Sequence, residues 1–109
     1  MTTGPTDLGE LSARLRSGQR LLGLDVGSKT IGLALSDGTL IIASAYATLK
    51  RGKFAATAAE LGKIIAKENV GGLVIGLPLN MDGSEGPAVR SVRQFQKNLE
   101  PFVDLPMAF

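Results

Sequence analysis

The sequence predicts a single α/β domain with an aliphatic core. Apolar runs typical of strands alternate with segments of helical periodicity along the 109 residues, an order typical of layered α/β folds. Hydrophobic residues make up 44% of the chain and charged residues 20%, so it has enough apolar surface to fold. It contains no cysteine and no histidine, which excludes disulfides, cysteine nucleophiles and histidine-based acid–base chemistry.

An N-terminal extension, residues 1–19, precedes the main part of the predicted domain. Leu8, Leu11 and Leu15 recur at helical spacing before Gly18, which predicts a short amphipathic helix. No apolar run approaches the length of a membrane span, and the charged N-terminal region does not have the pattern of an export signal. We therefore expect a cytoplasmic protein with no membrane partner.

Three strands are predicted next, joined as an antiparallel meander. The apolar run 21–26 is typical of a strand buried on both faces. A second apolar run covers residues 31–35. Asp37 and Gly38 form a hairpin turn signal before a third run over residues 39–47.

Helical periodicity returns after a basic loop. Apolar residues recur at helical spacing from Phe54 to Ile65, which predicts a second helix. Gly71 and Gly72 are predicted to end this helix in the left-handed conformation. The apolar run 73–77 then predicts a buried strand.

A third helix is predicted after a loop over residues 79–86. Pro87 suits the first position of a helix. The predicted apolar face consists of Ala88, Val92, Phe95 and Leu99. Residues 102–109 resume a strand-like pattern, so the chain ends within a predicted strand.

Asp25 is the first candidate for chemistry. It interrupts an apolar strand, where an ionised carboxylate is costly unless it is paired or bound to a metal. Gly23 and Gly27 near it leave room for a metal, a phosphate or a backbone segment. A purely structural interpretation, in which Asp25 caps the following turn, is equally compatible with its position.

Two acidic residues, Asp82 and Glu85, are the plausible local partners of Asp25 for a metal such as Mg²⁺ or Mn²⁺. Their position in a glycine-rich loop favours the interpretation as turn residues. Lys29 could contact a phosphate or simply be solvated at the end of a hairpin. A Walker loop is excluded, because its spacing is absent and Lys29 precedes a strand instead of a helix.

Basic residues form a stripe on the third predicted helix. Arg90, Arg93 and Lys97 are spaced for one face, opposite the apolar residues. Together with the basic loop over residues 50–53 they could follow a phosphate backbone. A solvated helix face, which needs no ligand, is the favoured interpretation of the stripe. The net charge of +2 argues only weakly for a polyanion, and few aromatic residues are present to stack on bases.

Two segments together resemble a known family. The segment 20–37, with Asp-Val-Gly-Ser-Lys-Thr at its centre, and the segment 74–86, with Gly-Leu-Pro-Leu-Asn-Met-Asp-Gly, occur in the order found in the YqgF (RuvX) family. The resemblance covers residues 20–109. It implies an RNase-H-like, RuvC-related mixed sheet with flanking helices. Members of this family are described as Holliday-junction resolvases and as nucleases that mature the 5′ end of 16S rRNA precursors.

The resemblance also implies roles for individual residues. Asp25 matches the first-strand carboxylate that is catalytic and binds Mg²⁺ or Mn²⁺. Lys29 and Thr30 match the turn after it, and Asn80 matches the loop beside the active site. We expect these three residues to bind substrate, together with Arg90 and Arg93 on the helix that follows.

The family pattern continues beyond Phe109. It has an Asp-Glu-Arg motif after the strand that begins near Phe109, and a further Asp in a final helix. We therefore expect a truncated chain with an incomplete metal site, which is inactive or nearly inactive. We also expect exposed apolar surface on the sheet and a tendency to self-associate.

The function predicted is a metal-dependent phosphodiesterase acting on structured nucleic acid. Processing of the 5′ end of precursor 16S rRNA is the first expectation, and resolution of branched DNA is the alternative. Two other classes stay open. One is an ATP-binding domain of the actin and sugar-kinase type, although the chain is too short for the two-lobed cleft of that class. The other is a non-catalytic nucleic-acid-binding module. Formation of a homodimer also stays open.

Overall fold

One mixed sheet forms the centre of the computed structural model, which describes residues 5–37 and 43–109. Its strands are β1 Arg20–Val26, β2 Thr30–Ser36, β3 Ala43–Lys50, β4 Val70–Ile75 and β5 Met107–Ala108. Its helices are α1 Leu8–Ala13, α2 Phe54–Lys67 and α3 Pro87–Leu99. The strands lie in the order β3-β2-β1-β4-β5. The first three pair antiparallel, β4 is parallel to β1, and β5 is parallel to β4, so the predicted α/β class and meander are confirmed.

Several predicted boundaries are wrong. Strand β4 begins at Val70 instead of residue 73, and Asn69, with φ of 54°, takes the left-handed conformation that was predicted for the glycines. Strand β3 continues to Lys50, three residues past its predicted end, while residues 38–42 of the predicted hairpin lie outside the described residues. Residues 102–106 form turns and irregular backbone, so only the short β5 is strand.

One face of the sheet carries the main core. Leu22 and Leu24 of β1 are buried there, beside Leu73 and Ile75 of β4 in the register of the two strands. Helices α2 and α3 complete this core with apolar side chains at helical spacing: Ala58, Leu61, Val92, Phe95 and Leu99. On α3 the predicted Ala88 is exposed and Val89 is buried instead. Burial of this set supplies most of the hydrophobic stabilisation.

The opposite face is built from small residues. Gly23 pairs with Ala34 on one side and with Val74 on the other, so these three residues form a row across the sheet. They are half-buried, and the row borders an open groove of about 470 Å³. The prediction that β1 is buried on both faces is wrong, because among residues 5–37 and 43–109 no large side chain covers this part of it.

Helix α1 covers the other end of the same face. Leu11 is fully buried, and a Cβ built on Gly72 would lie 2.9 Å from Leu11 Cδ2 and 3.2 Å from Leu21 Cδ2. Glycine at this position therefore permits α1 to approach the sheet. The segment before α1 also joins the sheet, since Thr6 N–H donates to the Met107 carbonyl oxygen at 2.8 Å. Within residues 5–37 and 43–109, no helix is both long and apolar enough to span a bilayer.

Candidate functional site

Asp25 lies on the open face, near the carboxyl end of β1. It pairs with Gly32 of β2, and a Cβ built on Gly32 would lie 3.7 Å from Asp25 Cβ. Glycine thus leaves the space beside the carboxylate free. The Asp25 side chain is exposed and has no hydrogen bond or ion pair to another described residue. Its predicted burial is wrong, and this carboxylate needs no partner to offset desolvation, so it is available to bind a cation.

The turn after Asp25 is tightly closed. Gly27 N–H donates to the Thr30 carbonyl oxygen at 2.9 Å. A Cβ built on Gly27 would lie only 3.0 Å from the same oxygen, so a side chain there would press against the turn. The side chains of Lys29 and Thr30 are exposed, which leaves both able to meet a ligand beside Asp25.

Arg51 stabilises this turn through two hydrogen bonds. Its backbone N–H donates to the Lys29 carbonyl oxygen at 2.9 Å, and its Nη1 donates to the Gly27 carbonyl oxygen at 2.8 Å. Its guanidinium carbon also lies 5.3 Å from the centre of the Phe95 ring, a cation–π contact. In the sequence, Arg51 is only one charge of a basic loop. Arg51 and Gly27 are 24 residues apart in the chain, so no local sequence pattern could have revealed the hydrogen bond between them.

A second segment reaches the same end of the sheet. Gly76 N–H, at the end of β4, donates to the carbonyl oxygen of Leu24, the residue before Asp25, at 3.0 Å. The loop over residues 76–86 begins there. Asn80 in this loop is exposed, and its Nδ2 donates to Ser84 Oγ at 3.1 Å. Asn80 therefore helps to shape the loop, and its contact with substrate stays a prediction.

The two acidic residues of the loop are held within the chain. Asp82 Oδ1 accepts hydrogen bonds from the N–H and the Oγ of Ser84, at 2.9 and 2.6 Å, and these bonds hold the pKa of Asp82 below its usual value. Glu85 accepts from Nε and Nη2 of Arg93 at 3.0 and 2.7 Å. This bidentate pair lowers the pKa of Glu85 and raises the pKa of Arg93. The interpretation of Asp82 and Glu85 as structural residues of the loop is supported.

The predicted basic stripe on α3 is divided by these contacts. Arg90 and Lys97 are exposed and form no ion pair with another described residue. Arg93 is paired with Glu85, and its guanidinium carbon lies 4.9 Å from the centre of the Phe109 ring. A phosphate would have to compete with Glu85 for Arg93. Its role in substrate binding stays a prediction, as does that of Arg90.

Strand direction determines which predicted residues gather at this site. Strands β1 and β4 are parallel neighbours, so the hairpin turn with Lys29 and the loop with Asn80 leave the sheet at the same end. Arg90, in the first turn of α3, follows that loop directly. In the part of the chain that the structure describes, no group of three or more acidic residues converges to hold a metal. Asp25 fits as one ligand, and the described residues do not supply a complete set.

Comparison with solved structures defines the class of fold. The structure of T. thermophilus RuvC in complex with a Holliday junction substrate superposes with a TM-score of 0.56 at 10% identity, covering 84% of this chain and 64% of that one. A Bacteroides thetaiotaomicron protein with an actin-like ATPase fold gives a TM-score of 0.50 at 11% identity, covering 93% of this chain and 36% of that one. At these identities the likeness concerns the fold alone, and the fold is RNase-H-like, as predicted.

Sequence comparison is more specific. Residues 19–109 match the RuvX family, described as Holliday junction resolvase. The chain belongs to this family. It is 54% identical over 99 residues to a protein of Gluconacetobacter diazotrophicus and 54% identical over 100 residues to one of Paramagnetospirillum magneticum, both named "Putative pre-16S rRNA nuclease". The matches cover 91% and 92% of this chain and 64% of each relative, so the chain spans less than two thirds of their length.

Proposed function

We propose that the protein is a metal-dependent nuclease that cleaves structured RNA, with precursor 16S rRNA as its substrate. The observation that carries the proposal is Asp25, an exposed carboxylate on the open face of the sheet, next to a hydrogen-bonded turn with exposed Lys29. Family membership and the names of two relatives at 54% identity support the same activity.

The residues around Asp25 have separable tasks in this proposal. Asp25 would contribute one carboxylate to a Mg²⁺ or Mn²⁺ ion, and Gly32 leaves room for ion and phosphate beside it. A bound divalent ion would help to activate water and to stabilise the leaving oxygen. Lys29 and Arg90 would bind the phosphates on either side through their exposed cationic groups. The remaining metal ligands would come from outside the described residues.

The decisive experiment replaces Asp25 in the complete polypeptide. Asp25→Asn keeps the volume of the side chain and removes its charge, so we expect metal-dependent cleavage of a precursor 16S rRNA 5′ fragment to fall by more than about 100-fold. Circular dichroism and thermal unfolding should show an intact fold. Glu60→Gln, which removes an exposed carboxylate on α2, is the matched control and should leave the rate unchanged.

Equal rates for the Asp25→Asn variant and the parent would contradict the proposal. A four-way DNA junction, tested in parallel, separates the two substrate classes. The description of the family as Holliday junction resolvase favours the junction as the second candidate. If the protein cleaves the junction but not the RNA, and Asp25→Asn abolishes that cleavage, the assignment as a nuclease stands and its substrate is branched DNA.

A further inference from the structure

Met81 is the most exposed large apolar side chain among the described residues, with a relative accessibility of 106%. It stands in the loop over residues 76–86, two residues after Leu79, which is half exposed. A side chain in this position makes no contribution to the core, because nothing in the described chain covers it. Its neighbours in the sequence are Asn80, Asp82 and Gly83, none of which has an apolar side chain.

Backbone hydrogen bonds on either side of Met81 form a tight turn. Asn80 N–H donates to the Ser84 carbonyl oxygen at 3.0 Å, and Gly83 N–H donates to the Asn80 carbonyl oxygen at 2.8 Å. Gly83 has φ of 84°, a conformation that favours glycine. The Ser84–Asp82 hydrogen bonds reinforce the same turn. Met81 is therefore presented by a fixed turn, and placing it against a ligand costs less ordering of the backbone.

The position of the loop connects Met81 with the candidate catalytic carboxylate. The loop starts at Gly76, which is hydrogen-bonded to the residue before Asp25, and Met81 follows five residues later. Arg90 lies beyond the loop with an exposed guanidinium group, while Asp82 and Glu85 are hydrogen-bonded within the chain. An exposed apolar side chain in a loop that leads directly to an exposed cationic residue suits a stacked polyanion.

We propose that Met81 is a wedge that inserts between two stacked bases of a structured nucleic acid next to the phosphodiester bound at Asp25. Apolar side chains, methionine among them, are used in this way to unstack a base step, at a cost that is offset by new contacts. The inference rests on the proposed nuclease function. A protein partner fits less well, because protein interfaces surround an apolar anchor with further packed residues, and the neighbours of Met81 are short and polar.

The test measures unstacking directly. A hairpin or branched oligonucleotide carries 2-aminopurine at the base step next to the scissile phosphate, and binding is measured in the Asp25→Asn background so that nothing is cut. We expect fluorescence to rise on binding of a chain with Met81, to stay low with Met81→Ala, and to recover with Met81→Leu. Leu8→Ala, which removes another exposed apolar side chain, at 48% accessibility in α1, is the matched control and should behave like the parent.

Cleavage by the complete polypeptide that retains Asp25 gives a second readout. For the structured substrate we expect Met81→Ala to raise KM about tenfold, and for an unstructured strand of the same sequence we expect no change. Because Met81 is exposed, thermal unfolding should not shift. Fluorescence and KM equal to the parent would overturn the wedge, even if Asp25→Asn still abolishes cleavage. An equal rise in KM for the structured and the unstructured substrate would also overturn it. If Met81→Ala reduces only self-association, measured by sedimentation, Met81 belongs to a protein contact and the wedge is likewise overturned.

Discussion

The two faces of the sheet are composed differently, and the difference separates stability from chemistry. The helix-covered face carries Leu22, Leu24, Leu73 and Ile75, all of them buried. The opposite face of the same sheet carries Gly23, Asp25, Gly32 and Val74. Alternate residues of one strand therefore serve two purposes. Large side chains fix the fold from one side, and small ones leave the other side accessible to a ligand.

The largest effect should come from the covered face. Leu73 and Val74 are neighbours in β4 that point to opposite faces, and Leu73 is fully buried while Val74 is half-buried. We expect Leu73→Ala to lower the free energy of unfolding by about 3 kcal/mol, because it leaves a cavity in the main core. Val74→Ala should cost about 1 kcal/mol, since the removed methyl groups are partly hydrated already. Urea unfolding of both variants checks this, and equal losses would show that the two faces contribute alike.

A smaller effect on stability is expected at Gly72, where α1 packs against one end of the face opposite α2 and α3. Gly72→Ala would bring a Cβ within 2.9 Å of the buried Leu11 side chain, so we expect a loss of about 2 kcal/mol from overpacking. Amide exchange in α1 should rise in parallel. Gly62→Ala is the control of opposite sign. Gly62 lies in α2 with no atom near its missing Cβ, so this variant should gain about 0.5–1 kcal/mol. A neutral Gly72→Ala would mean that α1 does not rest on the sheet in solution.

The smallest effect on stability, but a measurable one on activity, is expected at Arg51. Arg51→Met removes the hydrogen bond to Gly27 and the contact with Phe95. These are partly exposed contacts, so we expect less than about 1 kcal/mol of destabilisation. The turn beside Asp25 should become less well positioned, which would lower kcat about tenfold with little change in KM. Arg51→Lys retains a donor and should recover part of the rate. A change in KM alone would assign Arg51 to substrate binding.

Local patterns predicted much of this fold. Helical spacing identified α2 and α3, and apolar runs separated by a glycine-containing turn identified β1 and β2. Asp25 also stands out in the sequence as the carboxylate of interest. Its exposure was not predicted, because an apolar strand covered by helices on one face looks in sequence like a strand covered on both. What covers the second face depends on tertiary packing.

Contacts between distant segments account for the other differences. Arg51 donates a hydrogen bond to Gly27, and Arg93 forms a bidentate pair with Glu85. In the sequence, Arg51 is one charge of a basic loop and Arg93 is part of a basic stripe that could bind substrate. One of them fixes a turn, and the other already has a carboxylate partner. Residue type and spacing predicted that these side chains are basic, but which groups they meet is decided by the folded chain.

The pairing of Thr6 with Ala108 imposes an order on folding during synthesis. The segment before α1 leaves the ribosome ahead of the rest of the described fold, yet its partner strand β5 is the last described element to be made, and Gly72, against which α1 rests, is made only after α2. Contacts of such long sequence separation form slowly. This segment therefore cannot pair with β5 while the hairpin and α2 form, and its docking onto the sheet is among the last steps of folding.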